Sequence, residues 1–246
     1  MTRESLLIAT LVELADNLVD HYDIIDVLTV LSDRCVLTIE VDAVGVMLAS
    51  PAGELQFVAS SSESMKVLEL FQIQVDEGPC VECYHSGLAI VNHALGDDDE
   101  RWPLFSPRAL AYGFRSVHCL PLRLRGRTIG ALNLFRSHQG SLSAEDVVVA
   151  QGLADVATIA ILQHQSSLDA NTLNQQLSNA LNSRIIIEQA KGMISQASGS
   201  TMDDAFARLR AHARNRNEGL TRVASDVVSG VIGANGLDRL KPPAAT

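Results

Sequence analysis

The chain has 246 residues, 47% of them apolar, and a formal net charge of −10. That is ordinary for a soluble globular protein and long enough for one large or two small domains. Four cysteines, Cys35, Cys80, Cys83 and Cys119, are too few for a disulfide framework at this size. The most apolar stretch, Val147 to Leu162, is interrupted by Gln151 and Asp155 and is too short to span a bilayer. The N-terminus lacks a basic start and a cleavage site, so a secretion signal is not expected and the expected location is the cytoplasm. Charge is uneven: residues 1–165 carry 10 Lys+Arg against 22 Asp+Glu, and residues 166–246 carry 9 against 7. An acidic module joined to a nucleic-acid-facing one fits that split.

Leu6 to Leu37 follows three-four apolar spacing and predicts one or two helices. Val44–Ala49 and Glu54–Ser60 predict paired strands around Pro51-Ala52-Gly53. Glu63 to Phe71 predicts a helix. Pro79 suits the first turn of a short helix that Gly87 ends. Ala89 to Val91 predicts a strand, Gly96 to Glu100 an acidic loop, and Arg101 to Tyr112 a helix. Ser116–Leu124 and Thr128–Phe135 predict a hairpin about Arg125-Gly126-Arg127. Ser143 caps a helix running past Ile161. Irregular alternation with an antiparallel hairpin predicts an α+β sheet domain with flanking helices.

From Ser143 to Ala197 there is no proline, which predicts a long helix or two nearly in line. Leu173, Leu177, Ala180, Arg184, Ile187, Lys191 and Ile194 keep the spacing of a coiled-coil seam. The charges at Arg184 and Lys191 weaken such a seam. The reading is a conditional homodimer; the alternative is a seam folded back on its own domain.

Ala180 to Gly230 holds three short helical patterns separated by Gly199 and Gly219. Thr201 and Asp204 have capping-box-like spacing before the second. Met202, Ala205, Phe206, Leu209 and Ala213 form its apolar stripe. Val223, Ala224, Val227, Val228 and Val231 form that of the third. Arg210 and Arg214 sit on one shoulder of the second helix, Arg208 and His212 on the other. Between Ala205 and Arg222, five arginines face one acid, Glu218. Such a patch fits a polyanionic partner or a solvated face.

The runs SRIIIEQAKGMI, AFARLRAHAR and LTRVASDVV resemble an ANTAR domain, an RNA-binding antitermination module. The matching positions are Arg184, Ala190, Lys191, Gly192, Ala205, Phe206, Leu209, Arg210, Ala213 and Ala224. The resemblance implies binding of paired RNA hairpins with six-nucleotide loops in nascent transcripts, which keeps a terminator from forming. The RNA-contacting set it implies, with the neighbouring arginines, is Arg184, Ala190, Lys191, Gly192, Phe206, Arg208, Arg210 and Arg214. Upstream, EGPC (77–80), RWPLF (101–105), GFRS (113–116), LPL (120–122) and IGALNLF (129–135) resemble a GAF domain, a sheet-based sensory module. Such domains bind many small molecules or none, so the ligand stays open. The expected organisation is a GAF-like domain over 1–165, an ANTAR-like three-helix bundle with a leading coiled-coil helix over 166–236, and a flexible tail over 237–246. The alternative is a small-molecule or redox sensor acting through a protein partner.

Cys80-Val81-Glu82-Cys83 is a CxxC. It reads as structural, as a redox pair, or as part of a zinc site that Cys119 or His118 would have to complete, and Cys119 is kept with it as a ligand or redox candidate. Trp102 walls a ligand pocket or anchors the core. The acidic run 97–100 reads as a solvated loop or a cation holder. No phosphate-binding loop, zinc-protease, nucleophile-elbow or dinucleotide motif is present, so no enzyme is predicted.

Overall fold

The computed structural model describes residues 3–16, 23–50, 52–124, 126–166, 172–216, 218–234 and Leu237. Pro51 and Arg125, placed in turns by the sequence, lie outside them, as does the tail from 238 onward. The chain divides into two compact units, residues 1–177 and 178–246.

The first unit is built on one antiparallel sheet. Its strands are β1 (Ala43–Ala49), β2 (Leu55–Ser60), β3 (Ile90–Ala94), β4 (Ser116–Leu124) and β5 (Arg127–Arg136), ordered β2-β1-β5-β4-β3. Helices α1 (Arg3–Asp16), α2 (Ile24–Thr38) and α6 (Ala144–Ser166) pack together. Of these, α2 also packs on β1 and β2, and α6 on β4. Helices α3 (Glu63–Val75) and α4 (Pro79–Ser86) pack on the sheet, and α5 (Phe105–Ala111) packs on α3. Helices cover the central strands, so β1 and β5 are buried almost throughout. That is why they read as continuous apolar runs rather than alternating ones.

Local chemistry fixes the element ends. Asp23 accepts the Ile25 amide at the start of α2, and Ser62 accepts that of Met65 at the start of α3. Pro79 opens α4, and Gly87 closes it at φ 66°. Ser143 Oγ accepts the Asp146 amide at 3.0 Å and donates to its carboxylate at 2.8 Å, starting α6. The helix expected over 101–112 starts four residues late. Glu77 Oε1 accepts the amides of Leu104 and Phe105 at 2.7 and 2.8 Å, which sets the first turn there. Arg101 and Trp102 are instead held by Glu82.

The second unit contains the C-terminal part of α7 (Thr172–Ser198), α8 (Met202–Arg216) and α9 (Leu220–Val228). Its core is Ile187, Ala190 and Ile194 from α7, Ala205, Leu209 and Ala213 from α8, and Leu220, Val223, Ala224 and Val227 from α9. Gly199 takes φ 66° after α7. Thr201 then caps α8, accepting the Asp204 amide at 3.1 Å and donating to its carboxylate at 2.7 Å. α9 ends at Val228, and Val231 is 75% exposed rather than part of the stripe.

Candidate nucleic-acid interface

The second unit brings three of the expected residues into one stack. Phe206 on α8 has two cations against its ring. Lys191 Nζ is 4.8 Å from its ring centroid and Arg210 Cζ is 4.5 Å away. Arg210 is four residues on from Phe206, so helical spacing alone sets that side of the stack. Lys191 reaches across from α7. Its ammonium also pairs with Glu188 at 3.1 Å, one turn back.

Two of the expected residues differ from the rest in burial. Lys191 is 2% exposed and Ala190 fully buried. His212, placed by spacing on one shoulder of α8 with Arg208, is buried, and its Nδ1 donates to the Leu237 carbonyl at 3.0 Å. Leu237 is buried too, which ties the first residue of the expected tail to α8. Arg214, Arg216 and Arg222 are exposed, while Arg184, Gly192, Phe206, Arg208 and Arg210 are half-buried. The outward cations therefore extend from the Phe206 stack toward the C-terminal end of α8.

Burial also decides much of the coiled-coil seam. Ile187, Lys191 and Ile194 are buried within the second unit, so that half folds onto its own module. The side chains of Leu173, Leu177 and Ala180 lie outside the described residues. What α7 leaves exposed is a different stripe, Leu181, Ile185 and Met193.

In the first unit the expected ligand or redox residues are all in the core. Gly45, Asn133 and Cys119 occupy one row across β1, β5 and β4, as the strand register shows. Glu69 of α3 sits over the row. A Cβ on Gly45 would collide with its carboxylate. Glu69 is fully buried and accepts from Asn133 Nδ2 at 2.8 Å and Gln72 Nε2 at 3.2 Å. Burial pushes its carboxyl up to about 8, against the hydrogen bonds from Asn133 and Cys80. Gln72 Oε1 in turn accepts the Cys80 amide at 2.9 Å. Cys80 and Cys83 on α4 and Cys119 on β4 belong to one core cluster, and all three thiols are buried and free. Trp102 is a core anchor: it is 2% exposed, edge-on to Phe105, and its indole N–H donates to Glu82 at 3.1 Å. Asp99 of the acidic loop is tied to His93 at 2.8 Å and to Ser106 at 2.5 Å. Among the described residues, no group of three or more His, Cys, Asp or Glu side chains could hold a metal ion.

Sequence reasoning missed Glu69, Gln72, Asn133 and the Glu188 partner of Lys191. One signal was available. Gly45 inside an otherwise apolar strand marks a close approach by some other group.

The comparisons agree with this division. The GAF domain family model matches residues 21–162, more than half of the chain, and the ANTAR domain model matches residues 175–228. The chain belongs to the GAF domain family, with an ANTAR domain after it. The GAF half is similar in fold to three solved structures, each with a TM-score of 0.52. The GAF domain of an Acinetobacter phosphoenolpyruvate-protein phosphotransferase is 13% identical, over 69% of this chain and 99% of that one. The free methionine-R-sulfoxide reductase of Neisseria meningitidis is 17% identical, over 68% and 95%. The GAF domain of a Coxiella burnetii phosphoenolpyruvate-protein phosphotransferase is 14% identical, over 65% and 95%. No curated protein matches. A sensory GAF module and an RNA-binding ANTAR module make this GAF–ANTAR chain a regulator, and both modules are regulatory rather than catalytic. No described helix is long and apolar enough to cross a membrane.

Proposed function

We propose that this GAF–ANTAR protein is a signal-responsive transcription antitermination regulator, not an enzyme, that acts in the cytoplasm. Its ANTAR domain binds paired hairpin loops in nascent RNA, and its GAF domain controls that binding. The observation that carries the reading is the Phe206 stack with its fringe of arginines on an otherwise acidic chain. A half-buried aromatic with a guanidinium over its ring fits an unstacked loop base, which can stack on the outer face of that guanidinium plane. The arginines beside it fit the phosphates. Arg184, Arg208, Arg210 and Arg214 are the contacts, with Gly192 offering backbone. Ala190 and Lys191 hold the scaffold.

One module offers a small surface. Two modules in a homodimer would engage two hairpins with a raised effective concentration. The exposed Leu181–Ile185–Met193 stripe supplies an apolar surface for that pairing, and the GAF signal would act by changing it.

The test is RNA titration of full-length variants. Arg214→Ala should weaken tandem-hairpin binding and lower the salt slope by about 0.7, the contribution of one phosphate contact on a single strand. Its melting point should stay at the parent value. Parent-like affinity in both Arg214→Ala and Arg210→Ala would move the site elsewhere. A complete lack of RNA affinity in the parent would favour the protein-partner reading.

A further inference from the structure

We propose that the first unit holds a small monovalent anion, of chloride size, on the N–H groups of His118 and Arg136, under the loop 137–142. The site belongs to the GAF half alone and is independent of the RNA reading. Strand register brings the two side chains together. Ser116 of β4 pairs with Arg136 of β5, and His118 pairs with Leu134. His118 lies two residues on from Ser116, so it shares a sheet face with Arg136 at the diagonal position, within reach of a long side chain. Val117, Cys119 and Phe135 alternate with them and belong to the core cluster of the opposite face. His118 is 1% exposed and Arg136 4%.

The proton positions define what can bind. The Asn92 amide donates to His118 Nδ1 at 2.8 Å. The ring proton of the neutral imidazole therefore sits on Nε2, which is a donor. His118 Nε2, Arg136 Nε and Arg136 Nη1 are all buried, and none has a hydrogen-bond partner among the described residues. All three nitrogens donate and none accepts, so an acceptor is needed to satisfy them.

The charge gives the sign of that acceptor. Arg136 Nη2 donates to His138 Nε2 at 2.7 Å, which as an acceptor is uncharged. It also meets Glu40 at 3.5 Å, but the Glu40 side chain is 82% exposed and compensates little. Asp42 is engaged by the Ser137 amide and hydroxyl at 2.6 and 2.9 Å, and Asp146 of α6 by Arg3 and Ser143. A buried guanidinium so weakly countered calls for a negative charge beside it. Water, which donates as well as accepts, would leave that charge unmatched.

The loop over the guanidinium is pinned at three points. Ser137 is held by Asp42, the His138 carbonyl accepts from Ser116 Oγ at 3.2 Å, and the Leu142 amide donates to Asn92 Oδ1 at 2.8 Å. Between them Gly140 takes φ 139°, and a Cβ there would lie 3.5 Å from Arg136 Nη1. Asn92, itself at φ 59°, thus sets both the His118 tautomer and one end of the loop. A cover held this closely suits a monatomic ion.

The experiment melts full-length protein in sodium chloride and in sodium gluconate at equal ionic strength. Fluorescence of Trp102, the single tryptophan and a core residue of the first unit, reports that unit's transition. Chloride should raise the midpoint saturably, by about 3–6 °C at ten times its dissociation constant. General salt effects run the other way, because the more strongly excluded anion stabilises folded chains. Arg136→Met keeps the apolar stem without the donors and should lose the chloride response. Equal parent midpoints in the two salts would overturn the proposal, as would a chloride response retained in Arg136→Met. If that variant does not fold, crystals of the parent grown in sodium bromide decide. Anomalous scattering should place bromide within hydrogen-bond distance of His118 Nε2 and an Arg136 nitrogen, and a water molecule alone at that position would overturn the assignment.

Discussion

Glu69 is a carboxyl at the centre of a sheet domain, and it has a measurable consequence. Its folded pKa, about 8, lies above the ordinary value of 4.5 because burial disfavours the charge. Between those values the unfolded chain has released a proton that the folded one keeps. Stability therefore falls as pH rises from about 4.5 to 8 and levels off beyond. Glu69→Gln removes that fall, so chemical denaturation at pH 5 and pH 8 should give closer midpoints than in the parent. His118 acts at the other end. Asn92 donates its amide to Nδ1 at 2.8 Å, and burial first, then Arg136, pushes the imidazole down to about 4. Its contribution is lost as pH falls from 6.5 toward 4, the reverse sign. Gly130 makes a second residue-scale prediction. A Cβ there would strike the Met47 carbonyl of the neighbouring strand. Gly130→Ala should cost about 1–3 kcal/mol in a urea titration, as overpacking does. These residues were barely legible in sequence. Glycines inside apolar strands hinted at close approach, but what approached lay far off in the chain: the Glu69 side chain of α3 at Gly45, the Met47 carbonyl of β1 at Gly130.

Among the elements, the helix pairing α7 with α8 separates scaffold from surface. Lys191 is buried against Phe206 and Glu188, so Lys191→Ala should destabilise the ANTAR module by about 2 kcal/mol through lost packing of its stem and lost ring contact. Arg214 is exposed, so Arg214→Ala should stay within about 0.5 kcal/mol of the parent. Thermal melting of both variants distinguishes the roles: equal losses would contradict the assignment. The sequence showed these helices and their ends well. Thr201, Gly199, Pro79 and Gly87 fell where local hydrogen bonding and glycine conformation require. It misassigned α5, because the carboxylate that starts that helix comes from Glu77, far back in the chain. It also left the heptad seam open between a partner and the helix's own module. Spacing is the same for both, and only the position of α8 decides.

For the whole molecule, an acidic sensory half is followed by a basic-faced output half, and composition already carried that division. The strand order, with β5 between β1 and β4, was not visible, since nothing local tells a hairpin strand which distant strand it also pairs with. Function at this scale depends on RNA affinity residing in the arginine-fringed module. The direct measurement is titration of full-length protein with a tandem six-nucleotide-loop hairpin RNA at two salt concentrations, beside a single hairpin. The account predicts tighter binding of the tandem RNA and affinity that falls steeply with salt, because phosphate contacts release counterions. Equal affinity for single and tandem hairpins would contradict the paired-module mechanism. Salt-insensitive binding or none at all would contradict the RNA reading itself.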